Sequence, residues 1–373
     1  MCVSRVCWQF VGAASRLGKP SGFMTVRDSA LAPEQIGQGG GSTWKVAGTG
    51  WVDAPDLRCM PSKPMPPADP ATDGQFVDAA FPPTEASVRS AQSKGELTTI
   101  PDCWMRVPQL LGADTQGAAD VKLFDEIDPT DIVQGRLGNC WLLAALACLA
   151  EFPVLVKSLL KETSLSSDGG YTFRFFDASV HDWVAVTIDD AIPCHWRYGN
   201  PKPCFMQPAA GQREAWPLLY EKAFAKFCGT FQELEGGFTS WAFSVLLGHS
   251  DDDPIRVFAK DADGSSLWRP GTLDPELIVA NGARSNNHAS SFKMQMGADR
   301  AMRGTALFEV LRNADAEDYL MAASIDGGVE KKRSDGLVEG HAFSVLAAVE
   351  VHGFQLVQVH EEGVPPHPPP LHC

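Results

Sequence analysis

The chain has 373 residues, of which 44% are hydrophobic and 21% charged, and its formal net charge is −15. That length fits one large domain or two moderate ones, with apolar content enough for a core. The acidic balance lacks the basic footprint of a nucleic-acid binder, and no apolar run reaches the roughly 18 residues of a membrane span.

Ten cysteines occur at irregular spacings. None forms a C-x-x-C pair. Cys194, His195 and Cys204 lie close together, but no second pair completes a zinc framework. Reduced thiols in a cytoplasmic chain are the simplest expectation. The opening "MCVSRVCWQFVGAASRLG" lacks the long apolar stretch of a secretory signal. Residues 1–27 carry Arg and Lys without Asp or Glu, a faint likeness to a transit peptide.

Residues 1–73 are rich in Gly, Pro and Ser and read as a loosely ordered extension. Their glycine run lacks the Gly-Lys-Ser/Thr of a phosphate loop, which excludes that mode of nucleotide binding. Order is expected from about Gln75. "CWLLAALACLAE" has the apolar spacing of a helix over 140–151, with Asn139 placed to cap it. "YTFRFFDASVHDWVAVTIDD" alternates as two strands around a turn at Asp177–Ser179. "REAWPLLYEKAFAKFCGTF" predicts an amphipathic helix ending before Gly229. Residues 249–300 are polar and loop-like. Their acidic cluster fails as an EF-hand: counting from Asp261, Ser266 occupies the glycine position and Thr272 the glutamate position. A helix and a strand follow in "TALFEVLRNADAEDYLMAASI". "GHAFSVLAAVEVHGFQLVQV" then predicts a hairpin turning at His352-Gly353. The prolines of "HEEGVPPHPPPLHC" cannot extend a sheet, because they lack the donors.

Position separates two cysteines of one predicted helix. Cys140 falls in the first turn, where free N–H groups and the helix dipole favour a thiolate. Cys148, two turns on, is expected to be buried and inert. A reactive thiolate needs a base remote in sequence. His341 opens the apolar strand "HAFSV", where an imidazole is costly without partners. Gln134 precedes Cys140 across the "GRLG" turn, and its side-chain amide could donate to an oxygen that develops charge, with the Cys140 N–H as second donor. Each residue alone also has a plain structural reading: core thiol, satisfied core histidine, solvated loop amide.

Taken together, these residues resemble the calpain family of papain-like cysteine proteases. "QGRLGNCWLLAALACLA" is similar to the catalytic-cysteine block and "DGLVEGHAFSVLAAVEV" to the catalytic-histidine block. "FVDAAFPPTEASV", "WVAVTIDDAIP", "AWPLLYEKAFAKFCGTFQELEGG" and "YLMAASI" are similar to further blocks in the same order, so the resemblance covers residues 74–359. It implies an α+β, papain-like fold of two lobes with the substrate peptide between them. A helical lobe carries the cysteine and a β-rich lobe the histidine. It further implies Cys140 as nucleophile, His341 as base and acid, and Gln134 as oxyanion donor. Protein and peptide chains would be the substrates, and the chemistry would need no cofactor.

Three departures qualify the likeness. The family continues its histidine hairpin into Asn-Pro-Trp-Gly, where the Asn orients the histidine and the Trp shields that contact. In this chain Glu361 falls at the Asn position and Gly363 at the Trp position. Asp131 matches an acidic ligand of the family's helical-lobe calcium site, but Gln232 stands where a Glu is expected, which implies weak Ca2+ regulation at most. The family's downstream domains have no counterpart after residue 359. The expected organisation is an extension over 1–73, a helical lobe over 74–248, a polar insertion over 249–300, an incomplete β-rich lobe over 301–361 and a Pro-rich tail over 362–373. The expected function is a calcium-linked cysteine endopeptidase. Its rival is a truncated, catalytically impaired relative that binds substrates or partners.

Overall fold

The computed structural model describes residues 6–12, 74–89, 99–112, 121–197, 200–209, 211–248, 255–260, 267–272, 295–296, 301–325, 331–334 and 337–361. Most of the 1–73 extension, much of the 249–300 insertion and the whole tail from 362 lie outside these residues, and so does Gly363.

The main elements in chain order are β1 (Val6–Gly12), β2 (Cys103–Arg106), α1 (Cys140–Ala150), β3 (Gly170–Asp177) and β4 (Asp182–Asp189). They continue through β5 (Ala191–Arg197), β6 (Asn200–Pro203), α2 (Trp216–Cys228), α3 (Thr239–Leu247), β7 (Arg256–Lys260) and β8 (Leu267–Thr272). The chain then forms α4 (Gly304–Ala316), β9 (Tyr319–Ile325), β10 (His341–Val351) and β11 (Phe354–His360). The helices and hairpins expected from periodicity therefore occur. The turn between β10 and β11 places His352 at φ 51° and Gly353 at φ 79°. This left-handed pair matches the twist of a two-residue hairpin.

Two segments read from sequence as irregular contribute strands. β1 comes from the N-terminal extension and pairs with β7 on one side and β9 on the other. β7 and β8 come from the polar insertion. They belong to one antiparallel sheet in the order Gln295–Met296, β8, β7, β1, β9, β10, β11, with Met302–Arg303 paired to β8. The signals were weak because each run is short and broken by polar residues, and sheet partners supplied from far away decided their state.

Strand alternation gives this sheet two buried faces. Leu320 and Ala322 of β9, with Ala342 of β10, join the large core built around α1. Met321 and Ala323, with Val345 and Ala348, pack with Leu307, Phe308 and Leu311 of α4. α1 is buried along all eleven residues, as expected of a helix apolar on every side. α2 is likewise buried throughout but carries charge. Lys222 pairs with Asp189 at 2.5 Å and Lys226 with Asp78 at 2.8 Å, every side chain being buried. The second pair ties the segment around Asp78 to α2. Among the described residues strand β11 ends one side of the sheet, and Val349, Val351, Phe354 and Leu356 of the terminal hairpin are exposed.

Candidate active site

Cys140 is the first residue of α1 and keeps 9% exposure, whereas Cys148 is fully buried. Cys148 Sγ donates to the Met321 carbonyl at 3.0 Å, which fastens the far end of α1 to β9. The near end is held by the segment 234–236. Trp141 Nε1 donates to the Leu234 carbonyl at 2.9 Å, and the Gly236 amide donates to the Gly138 carbonyl at 2.8 Å. The helix that presents the thiol is thus fixed at both ends. Burial pushes the Cys204 thiol up to about 12 and raises that of Cys194 further. Neither is a nucleophile.

Gln134 is buried, and its Nε2 donates to the Leu137 carbonyl at 2.8 Å, closing the glycine turn on itself. An amide nitrogen carries two hydrogens, so a second donor remains for a substrate oxygen. Gly135 is required by packing: a Cβ there would overlap the Phe205 carbonyl. Backbone cannot swing aside as a side-chain end does. Gly135→Ala should therefore cost about 3 kcal/mol or more, read as a shift in the urea midpoint, and a wild-type midpoint would contradict this packing.

His341 opens β10, is buried, and sets its ring edge-on to Phe343 with centroids 5.0 Å apart. β10 packs directly on α1. The bond from Cys148 to Met321 serves as a shared reference. Cys140 lies eight residues back along the helix, about 12 Å at 1.5 Å per residue. Met321 pairs with Val345 and Ile325 with His341, so the histidine lies four residues along the sheet, about 13 Å away. The first residues of α1 and β10 thus lie at similar distances, along helix and sheet, from one contact between them. Next to Ser344↔His360, the last pair of β10 with β11, comes Glu361. Glu361 follows directly after the strand ends.

The two residues singled out for calcium belong to two different short turns. Asp131 ends a short turn over Pro129–Asp131, where the Asp128 amide donates to its Oδ2 at 2.8 Å in a capping box. Its Oδ1 is buried without a hydrogen-bond partner, as are both carboxyl oxygens of Glu214. Burial first, and the charge of Asp131 second, push Glu214 up to about 7, and burial also raises Asp131. The indole N–H of Trp216 lies near enough to temper both shifts but short of hydrogen-bond geometry. Gln232 instead begins the turn Gln232–Leu234, where its carbonyl accepts the Glu235 amide at 3.0 Å. The group on which Asp131 bears is Glu214, which sequence reasoning passed over because an acidic residue just before a helix is commonplace. Two desolvated carboxyls with unpartnered oxygens suit a hard cation that completes its shell with backbone carbonyls and water. No group of three His, Cys, Asp or Glu side chains is arranged around a metal among the described residues.

An α+β core that carries a helix-initial cysteine and a strand-initial histidine has the make-up of the papain-like class of cysteine peptidase. The calpain-family cysteine protease profile matches residues 76–361, and the chain belongs to that family. It is 29% identical to the calpain-type cysteine protease DEK1 of Arabidopsis thaliana, over 77% of this chain and 11% of that protein. It is 34% identical to calpain-13 of Rattus norvegicus, over 64% of this chain and 35% of that protein. With the calpain-2 catalytic subunit of Gallus gallus it shares 29% identity, over 60% of this chain and 26% of the other. The chain thus spans only a minor part of the length of these relatives.

Proposed function

We propose that this chain is a cysteine endopeptidase that cleaves protein substrates at the end of the α1–β10 packing where Cys140 and His341 begin their elements. The packing of α1 on β10, with their first residues Cys140 and His341 equally offset from the Cys148–Met321 contact, carries the reading. His341 takes the thiol proton, forming a thiolate–imidazolium pair. The thiolate attacks the peptide carbonyl carbon, and the oxygen that gains charge is met by Gln134 Nε2 and the Cys140 amide. His341 then returns the proton to the leaving amine, and water hydrolyses the thioester to free the thiol. Glu361 stands in for the family's Asn as the group that orients His341. No described helix is long and apolar enough to cross a membrane. A cytoplasmic setting with reduced thiols suits this chemistry. Cleavage of an unstructured protein by the purified chain tests the reading, and failure with every substrate, with and without calcium, would refute it.

The second reading is a catalytically impaired relative that binds partners. The residue that favours it is Glu361, since an acidic side chain replaces the neutral amide that would hold the imidazole.

For regulation, Asp131 and Glu214 are the side chains that would hold Ca2+, which would supply charge neutralisation and order rather than chemistry. The sign of its pH dependence follows from Glu214. A carboxyl raised from 4.5 to about 7 in the folded chain binds a proton that the unfolded chain has released. Metal-free stability from this group is full below the lower value and declines as pH rises towards the upper one. Calcium replaces that proton. Added calcium should therefore raise Tm more at pH 8 than at pH 5, and Glu214→Gln should remove most of the difference. Equal shifts at both pH values would contradict the assignment.

A further inference from the structure

We infer that Glu221 is a positioning residue for the active site: through Asn139 and Met206 it fixes the turn from which Gln134 and Cys140 present their donors. The inference rests on reading Cys140 as the nucleophile.

Glu221 lies in the middle of α2 and is buried. Its Oε1 accepts from Asn139 Nδ2 at 2.7 Å, and both its oxygens accept from the Met206 amide at 3.0 Å. These bonds reach both ends of the glycine turn. Asn139 immediately precedes Cys140. Met206 follows Phe205, whose carbonyl fills the space beside Gly135, and the Arg136 amide donates to the Cys204 carbonyl at 3.3 Å. One carboxyl therefore ties the start of α1 to the strand segment that roofs the turn.

The side chain of Asn139 is diverted for this purpose. An Asn at the position before a helix ordinarily accepts from the amides of the first turn. Asn139 makes no such capping bond, although it is fully buried. The first amides of a helix have no partner within it. Cys140 is the first of them, a position that a capping side chain does not reach, and its N–H is left for the oxygen of a substrate.

A carboxyl in an apolar helix is expensive, and burial pushes Glu221 up to about 7. The adjacent Lys222 and nearby Lys226 are each matched by an aspartate that ties α2 to other elements. Glu221 differs: its hydrogen-bond partners are two neutral donors, and both belong to the walls of the active-site turn. A leucine would fill the same space at lower cost, so the carboxyl is explained by what it holds.

Glu221→Met and Glu221→Gln in the full chain test this. The probes are iodoacetamide, which needs only the thiolate, and a peptide aldehyde, whose adduct also needs the oxyanion donors. Glu221→Met should weaken aldehyde binding ~10- to 100-fold and lower kcat with KM unchanged, while iodoacetamide labels Cys140 within about threefold of the wild-type rate. Glu221→Gln keeps an acceptor oxygen for both donors and should recover most of the loss, which a purely space-filling role would not produce. Hydrogen exchange across 133–141 should quicken in Glu221→Met while the β3–β4 hairpin is unchanged. Wild-type aldehyde affinity and exchange in Glu221→Met would overturn the inference, as would a parallel loss of both probes with faster exchange in the hairpin. If the wild-type chain binds no aldehyde at all, the protease reading falls, and the exchange comparison still decides whether Glu221 holds the turn.

Discussion

Alanine at Cys140 should lower cleavage by on the order of 10⁴-fold or more and remove covalent labelling by a peptidyl epoxide. The expected size follows from the mechanism. The thioester cannot form without the sulfur, and the residual oxyanion donors act only on attack by water. The described cysteines besides Cys140 are Cys7 of β1, Cys103, Cys148, Cys194, Cys204 and Cys228, the last four of them buried. Burial raises the Cys103 thiol, and the charge of Asp102 raises it further. A label found by mass spectrometry on any of these, with Cys140 unmodified, would rule out Cys140 as the nucleophile.

The second large effect is expected at the end of β11. Installing the family's Asn-Pro-Trp through Glu361→Asn, Glu362→Pro and Gly363→Trp should raise kcat about tenfold or more, since the group that orients a catalytic imidazole is worth up to ~10⁴-fold elsewhere. An Asn side chain is one methylene shorter than Glu and fixes one ring orientation. A Trp beside it keeps water from competing for the same bond. Glu361→Ala moves in the opposite direction, with a fall of about tenfold, if the existing carboxylate already steadies His341. Both variants turning over peptide at the wild-type rate would show that position 361 does not address the histidine.

Local periodicity carried much of the architecture. The helix from Cys140, the hairpin around 177–182, the helix ending before Gly229 and the hairpin closed by His352-Gly353 follow from apolar spacing and turn chemistry. β1 and β7 did not, because their strand state depends on pairing between residues more than two hundred positions apart. The same distinction runs through the site. Cys140 and Gln134 are neighbours in sequence, so their spacing was informative. Glu214 shows itself only where folding buries it beside Asp131 and leaves both of its oxygens without partners. Glu221 offered a signal that sequence reasoning did not use: an acidic residue in the midst of Leu218, Leu219, Phe224 and Ala225 implies a buried carboxyl with partners elsewhere.

The meeting of Cys140 with His341 is tested most directly by the alkylation rate of Cys140 at pH 6, where an unassisted thiol is almost wholly protonated. The wild-type chain should react with iodoacetamide ~10- to 100-fold faster than His341→Ala, with the adduct mapped to Cys140 and both proteins equally folded. Equal rates would mean that the imidazole does not take the thiol proton, and a catalytic thiolate–imidazolium pair in this protein would be contradicted.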